Sequence, residues 1–229
     1  MQTTKLIVAR HGNTFNKGDV VLRVGARANL PLTEEGRLQG QRLGAKLIEM
    51  KLFPTRFFAA PLKRTIETSL EIASCFDLGA PPQILDFLTE FDYGEYDGLP
   101  ETEVVKRLGV LEAQENGNAQ DLSPEELEAL GKKALKVWDT TRKLPVGWRF
   151  LQERVNRLED DWRNFGKQIA TKYPGETVVA TTSNGIARFS LSLLSGSVLR
   201  PTDLKLSTGA FGVFVLDRGC WKLEAWNVR

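Results

Sequence analysis

Three times in its 229 residues the chain runs a short apolar stretch into an abrupt polar turn and then into a helical pattern. That repeated junction constrains the fold more than any other feature. Residues 6–9 stop at Arg10-His11-Gly12, and residues 57–60 stop at Pro61, ahead of a helical stretch carrying Arg64. Residues 177–182 stop at Ser183-Asn184-Gly185, ahead of an apolar helix expected over 186–194. Short apolar runs bounded by turn residues read as buried strands, and their alternation with helices predicts an α/β domain with a mostly parallel sheet. Residues 211–216 and 221–226, divided by Asp217-Arg218-Gly219, read as a hairpin that closes the sheet with an antiparallel edge. A further strand is expected over 84–88. The predicted architecture is three-layer α/β/α.

The rest of the chain covers this frame. Pro31-Leu32-Thr33-Glu34-Glu35 is a helix start, with Thr33 as N-cap and carboxylates in the first turn. Residues 99–172 contain no strand pattern. Helices are expected over 101–108, from Ser123-Pro124 onward and within 148–172, and are read as cover for the sheet plus a cap over its mouth. The polar stretch 112–121 is expected to be mobile, and residues 1–229 form a single domain. Residues 13–29, rich in Gly, Asn and Arg without periodicity, read as a long functional loop. Asn16, Arg23 and Arg27 are its anion-donor candidates, Arg27 being more simply a solvated surface charge.

A net charge of +2 gives no argument for nucleic acid or an anionic membrane. No apolar run reaches the length of a membrane span, and the chain enters a strand too early for a signal peptide, so the expected compartment is the cytoplasm. Cys75 and Cys220 lie far apart in apolar surroundings and read as reduced, packed thiols, a bridge remaining open. With one histidine and no paired cysteines, no metal site is expected. No Gly-Lys-Ser/Thr follows Gly12 and Gly18, so they make no nucleotide-binding P-loop.

The chemistry points to the strand ends. His11 is the only histidine, and imidazole is both a nucleophile toward phosphorus and a proton carrier near neutral pH. Arg10 beside it offers a permanently charged fork shaped for phosphate, and Gly12 lets backbone amides approach a ligand. Arg64, in the first turn of the second helix, adds charge where free N–H groups favour an anion. The segment from Thr89 to Gly98 is dense in carboxylates and aromatics. A carboxyl group held against aromatic rings there is a candidate general acid, the plainer alternative being a polar loop with buried tyrosines. Trp138, Trp148 and Phe150 are pocket candidates, although aromatics at such positions more often belong to the core.

Taken together, these residues resemble the histidine phosphatase superfamily, the phosphoglycerate mutase-like proteins, over nearly the whole chain. Arg10-His11-Gly12-Asn13-Thr14 is similar to the family's leading Arg-His-Gly-x-Thr signature, and Pro31-Leu32-Thr33-Glu34-x-Gly36 with Gln39 to its Pro-Leu-Thr-x-x-Gly-x-x-Gln run. Ala60-Pro61-Leu62-x-Arg64-Thr65-x-x-Thr68 resembles the segment that supplies a second phosphate-binding arginine. The resemblance implies a phosphorylated His11, an acid/base Glu90, and phosphate held by Arg10, Arg64 and Asn16. The departure is Ser183-Asn184-Gly185, where the family has Ser-His-Gly or Ala-His-Gly. Asn184 can donate a hydrogen bond but cannot become a cation. Losing one such group costs on the order of 3–4 kcal/mol in the barrier, two or three orders of magnitude in rate.

The resemblance implies a phosphoric monoester hydrolase working through a phosphohistidine on His11, with a small phosphorylated substrate and no cofactor. Two rivals stand beside it. A phosphoglycerate mutase-type transferase suits the chain length and the long insert between Glu90 and Asn184. However, the Glu-Arg-His-Tyr-Gly form around the acid and the arginine pair in the cap are absent, only Lys106-Arg107 coming near. A catalytically inactive phospholigand-binding member is motivated by Asn184 and opposed by the presence of Arg10, His11, Arg64 and Glu90 together.

Overall fold

In the computed structural model, which describes residues 3–194 and 204–229, six strands form one sheet in the order β3-β2-β4-β1-β5-β6. β1 (Lys5–Arg10), β2 (Pro54–Ala59), β3 (Gln83–Ile84) and β4 (Thr177–Thr182) are parallel. β5 (Phe211–Asp217) and β6 (Cys220–Val228) are the expected antiparallel edge. Their two-residue turn, Arg218-Gly219, has positive φ at both positions, the twist that a tight hairpin needs.

The apolar runs are continuous because both faces of the sheet are covered. From β1, Ile7 and Ala9 pack with Val179 of β4 against Leu43, Leu47 and Ile72, which belong to α1 (Glu34–Glu49) and α2 (Lys63–Ser74). Leu6 and Val8 pack with Val178 and Ala180 on the opposite face, against Phe165 and Ile169 of α5 (Gln152–Lys172) and Ile186 of α6 (Asn184–Ala187). Burying each such side chain contributes about 1.5–3 kcal/mol, so the alternation along β1 and β4 fixes three layers. Thr33 caps α1 as expected, accepting a hydrogen bond from Gly36 N at 3.1 Å.

The helical region divides in two. α5 belongs to the sheet layer, its Phe165 ring meeting Phe58 of β2 edge-on at 5.3 Å. α3 (Glu101–Glu115) and α4 (Pro124–Thr141) instead pack on each other through glycines. A Cβ on Gly109 would lie 1.8 Å from the Leu127 carbonyl oxygen, and one on Gly131 would lie 1.9 Å from that of Val105. Among the described residues no helix is long and apolar enough to cross a membrane.

Four expectations need correction. The strand expected over 84–88 is only Gln83–Ile84, followed by a 3-10 turn over Asp86–Leu88. The apolar residues there fill the core rather than lengthen the strand: Phe87 stands edge-on to Trp162 at 5.3 Å. The helix expected over 186–194 is one α turn, Asn184–Ala187, continued as 3-10 over Arg188–Leu193. The helix expected over 101–108 runs on to Glu115 and takes in the first part of the polar stretch 112–121. Cys220 is not packed but exposed on the hairpin, and both cysteines are free thiols.

This topology sets the site. β1 and β4 are adjacent and parallel, with Arg10 opposite Thr182 at their carboxyl ends. The chain leaves β1 toward α1 on one face and leaves β4 into α6 on the other. Two parallel neighbours whose connections diverge open a crevice between them, which is where open α/β sheets bind ligands. His11 and Asn184 stand at its two lips.

Candidate active site

The loop after β1 is clamped from three sides. A Cβ on Gly12 would fall 2.2 Å from the Gly36 carbonyl oxygen, and one on Gly36 would fall 2.2 Å from that of Asn13. The loop and the start of α1 therefore cross at a contact only glycine permits. Gly12 N donates to Thr68 Oγ1 at 3.0 Å and Asn13 N to Gln39 Oε1 at 2.9 Å. The Asn13 carbonyl accepts from Thr33 N at 2.9 Å. The motif residues Thr33, Gly36, Gln39 and Thr68 thus hold the loop that follows His11. This corrects one expectation: the amides of Gly12 and Asn13 are committed to side chains and are not offered to a ligand.

His11 is buried, and its backbone N donates to the Thr182 carbonyl at 3.0 Å. Its Nδ1 lies 2.7 Å from the Gly12 carbonyl oxygen. A carbonyl can only accept, so Nδ1 carries the hydrogen and Nε2 keeps its lone pair. Burial, then the charges of Arg64 and Arg10, push the imidazole well below its usual pKa. The ring is neutral at physiological pH, as a nucleophile must be.

The two arginines are fixed by backbone. Arg10 donates from Nη1 to the Leu206 carbonyl at 2.7 Å. Burial, its largest influence, draws it down to about 10, so it remains cationic at neutral pH. Arg64 is completely buried and donates to the carbonyls of Ala28 at 2.7 Å and Gly25 at 3.1 Å. The Nε–H of each is buried without a protein partner, as is that of Arg23 farther along the same cavity wall. Buried donors are nearly always satisfied, so two unmatched N–H groups beside an imidazole mark a place for an anion. Here too an expectation changes in part: the Lys63 amide opening α2 donates to Asn29 Oδ1 at 2.7 Å and is not offered to a ligand.

Glu90 reaches the crevice from the loop before the short 3-10 turn Gly94–Tyr96. It is buried, and its oxygens accept from Phe91 N at 2.9 Å and Gly185 N at 3.0 Å. A Cβ on Gly185 would stand 2.1 Å from Glu90 Oε1, so glycine there lets α6 and the carboxylate meet. Asn184 Oδ1 accepts from Leu206 N at 3.0 Å, which orients the amide and leaves Nδ2 as a donor. Tyr93 and Tyr96 behind Glu90 are buried, and burial pushes the Tyr93 hydroxyl up.

Arg10, His11, Glu90 and Asn184 line one cavity of about 540 Å³, with exposed Asn16 at its rim. Arg64 stands behind that surface. Arg23 lines it too, stacked on Tyr93 at 5.2 Å and Trp148 at 4.8 Å and paired with Glu101. Arg27 is the surface charge expected of it, paired with Asp92 at 2.8 Å. Trp138 and Trp148 are core, Trp138 also lining the cavity, and Phe150 is exposed. Sequence reasoning missed Arg188, buried in the same wall. The available signal was a lone arginine inside the apolar run 186–194, four residues after Asn184.

Comparison with known proteins adds the following. The family model of the histidine phosphatase superfamily (branch 1) matches residues 6–151. The 2,3-bisphosphoglycerate-dependent phosphoglycerate mutase of Bifidobacterium longum (strain DJO10A) is 31% identical over 109 residues, 47% of this chain and 43% of that protein. The chain thus aligns with less than half the length of that curated relative. A phosphoglycerate mutase structure from Bacillus anthracis str. Sterne superposes with a TM-score of 0.69 at 20% identity, covering 99% of this chain and 94% of the other. A phosphoserine phosphatase from Entamoeba histolytica, in complex with 3-phosphoglyceric acid, superposes with a TM-score of 0.64 at 18% identity, covering 99% and 98%. At these identities the two structures establish the shared fold.

Proposed function

The chain belongs to the histidine phosphatase superfamily, and on that premise we propose that it is a phosphoric monoester hydrolase acting through a phosphohistidine on His11. The observation that carries the proposal is the His11 Nδ1–H bond to the Gly12 carbonyl, which leaves Nε2 as a neutral nucleophile between Arg10 and Arg64. The substrate class is a small phosphomonoester, and the domain is taken as residues 1–229 with the α3–α4 pair as its cap. A cytoplasmic setting is part of the proposal, supported by two unbridged thiols.

His11 Nε2 attacks phosphorus in line, the phosphorus–oxygen ester bond breaks, and the electron pair leaves with the ester oxygen. Glu90 delivers a proton to that oxygen as the alcohol departs. Glu90 then takes a proton from water, which attacks the phosphohistidine. The phosphorus–nitrogen bond breaks, phosphate leaves, and the imidazole returns to its neutral form. The unmatched Nε–H groups of Arg10 and Arg64 and the Nδ2 of Asn184 bind the phosphoryl oxygens, with Asn16 at the rim. The arginines supply the charge stabilisation that metal ions give in other phosphoryl-transfer sites.

The test is phosphate release from a panel of phosphomonoesters by the wild-type chain, set against His11→Ala. Release that depends on His11 is expected. Equal background release from both proteins overturns the proposal for those substrates, and phosphate binding without release then favours an inactive phospholigand-binding protein. Asn184 stands where the family motif has its second histidine, a neutral amide in place of a group able to carry charge. Asn184→His is therefore expected to raise kcat, by up to about 10²-fold. A folded, phosphate-binding Asn184→His protein with no gain contradicts that account.

A mutase is the second reading, favoured by one observation: the curated relative described above is a phosphoglycerate mutase. Interconversion of phosphoglycerates with a bisphosphoglycerate primer separates it from hydrolysis.

A further inference from the structure

Arg188 follows Asn184 by four residues, one turn along the α6 segment, so both project from one face. They share the cavity wall with His11 and Arg10. Arg188 is 1% exposed. Its Nη1 donates to the Trp138 carbonyl at 2.8 Å, its Nη2 to Asp139 Oδ1 at 2.8 Å, and its Nε to the Asn184 carbonyl at 3.3 Å. The guanidinium also lies 4.8 Å from the centre of the Trp138 ring. Three of its five N–H donors are thereby committed and two remain.

Burying a cation is costly unless it is paired. The carboxylate paired with Arg188, Asp139, also faces Lys205 at 3.7 Å. The cavity is lined by Arg10, Lys17, Arg23, Arg188 and Lys205 against three carboxylates, Glu90, Glu101 and Asp139. That excess of positive charge suits a dianion. Arg10, lowered first by burial, is lowered further by the charge of Arg188, which places the two guanidiniums within electrostatic reach.

We propose that Arg188 is a phosphoryl-binding residue, supplying from one turn beyond Asn184 the fixed positive charge that the neutral Asn184 amide cannot carry. The inference deepens the phosphohistidine proposal and rests on it. Arg188 also ties Asn184 to Trp138 and Asp139 of α4, so the wall of the phosphoryl site and the cap are held by one side chain.

The test is calorimetric titration of the full chain with orthovanadate, a mimic of the five-coordinate transferring phosphoryl group. Arg188→Gln is expected to weaken vanadate binding at least about tenfold, and Arg188→Lys to restore most of it. Asp139→Asn, which leaves the cation and removes its countercharge, is expected to tighten binding. The kcat gain from Asn184→His is expected to be larger in the Arg188→Gln background than in the wild type, because the two cations serve the same oxygens. Unchanged vanadate affinity in a folded Arg188→Gln protein overturns the proposal and leaves Arg188 as a strut to α4. Should Arg188→Gln fail to fold, Asp139→Asn decides: unchanged or weaker binding overturns it, as does a wild-type chain that binds no vanadate. Failure of the hydrolase proposal shows separately, as phosphate release that does not depend on His11.

Discussion

His11→Ala is expected to lower phosphate release by about 10⁴-fold or more, to the background of the folded protein. In the proposed mechanism the variant removes the atom that forms the covalent bond, and no other imidazole exists in the chain to replace it. Arg10, Arg64 and Glu90 are held by backbone carbonyls and amides rather than by the imidazole, so phosphate binding should survive. Retained binding with lost turnover is the signature of a missing nucleophile.

The same variant has a consequence for stability. Burial first, and then Arg64 and Arg10, keep the His11 pKa well below its ordinary value in the folded chain. The unfolded chain titrates near the ordinary value of about 6.5. Below that pH the unfolded state binds a proton that the folded state refuses. Stability is therefore complete above about pH 6.5 and is lost as pH falls toward the folded-state value, by at most about 1.4 kcal/mol per pH unit. With a single histidine, the imidazole part of this slope belongs to one residue, the carboxylates contributing only at lower pH. Urea midpoints of the ligand-free protein should decline across that window in the wild type and stay flatter in His11→Ala. Parallel declines contradict a neutral His11.

Arg64→Met is expected to lower kcat by about 10²–10³-fold and to destabilise the fold by about 2–4 kcal/mol. Two causes act together. The guanidinium is a second charge beside His11, and its Nε–H is a buried donor without a protein partner. Its Nη groups also satisfy the carbonyls of Gly25 and Ala28, which anchor the loop over residues 13–29 beneath the cavity. Removing the fork strands both acceptors in the interior, where each costs about 1–3 kcal/mol. Arg64→Lys should not rescue the loss, since a single ammonium cannot span two carbonyls and also offer a planar third donor. Steady-state kinetics with thermal or urea unfolding measures both effects. Full activity in Arg64→Met contradicts a phosphate-binding role.

How much of this was legible in the sequence follows from where signals are local. β1, β2 and β4 were visible because strands covered on both faces are written as unbroken apolar runs ending at polar turns. Thr33 was visible because an N-cap declares itself in four residues. The turn after Leu85 was not: Phe87 and Leu88 are as apolar as strand residues, and Phe87 meets Trp162, about seventy-five residues away, in a contact that no local pattern encodes. The segment over 186–194 departs from its expected helix for a related reason. It is buried on all sides, so it carries no 3.6-residue period from which a helix length can be read.

The site divides in the same way. Arg10, His11, Arg64, Glu90 and Asn184 stood out through motif and strand-end position. The commitment of the Gly12 and Asn13 amides to Thr68 and Gln39 depends on α1 and α2 crossing the loop, which no local pattern encodes. Arg188 was hidden because its partners, Trp138 and Asp139, lie about fifty residues away on α4.

The measurement that bears most directly on the central claim is rapid-quench labelling with a radioactive phosphomonoester, carried out on the wild-type chain, Glu90→Gln and His11→Ala. The account predicts an acid-labile, base-stable phosphoryl label on the peptide containing His11. It should accumulate when Glu90→Gln slows attack by water, and it should be absent from His11→Ala. Turnover without such a label, or an equal label in His11→Ala, would contradict the assignment of His11 as the nucleophile.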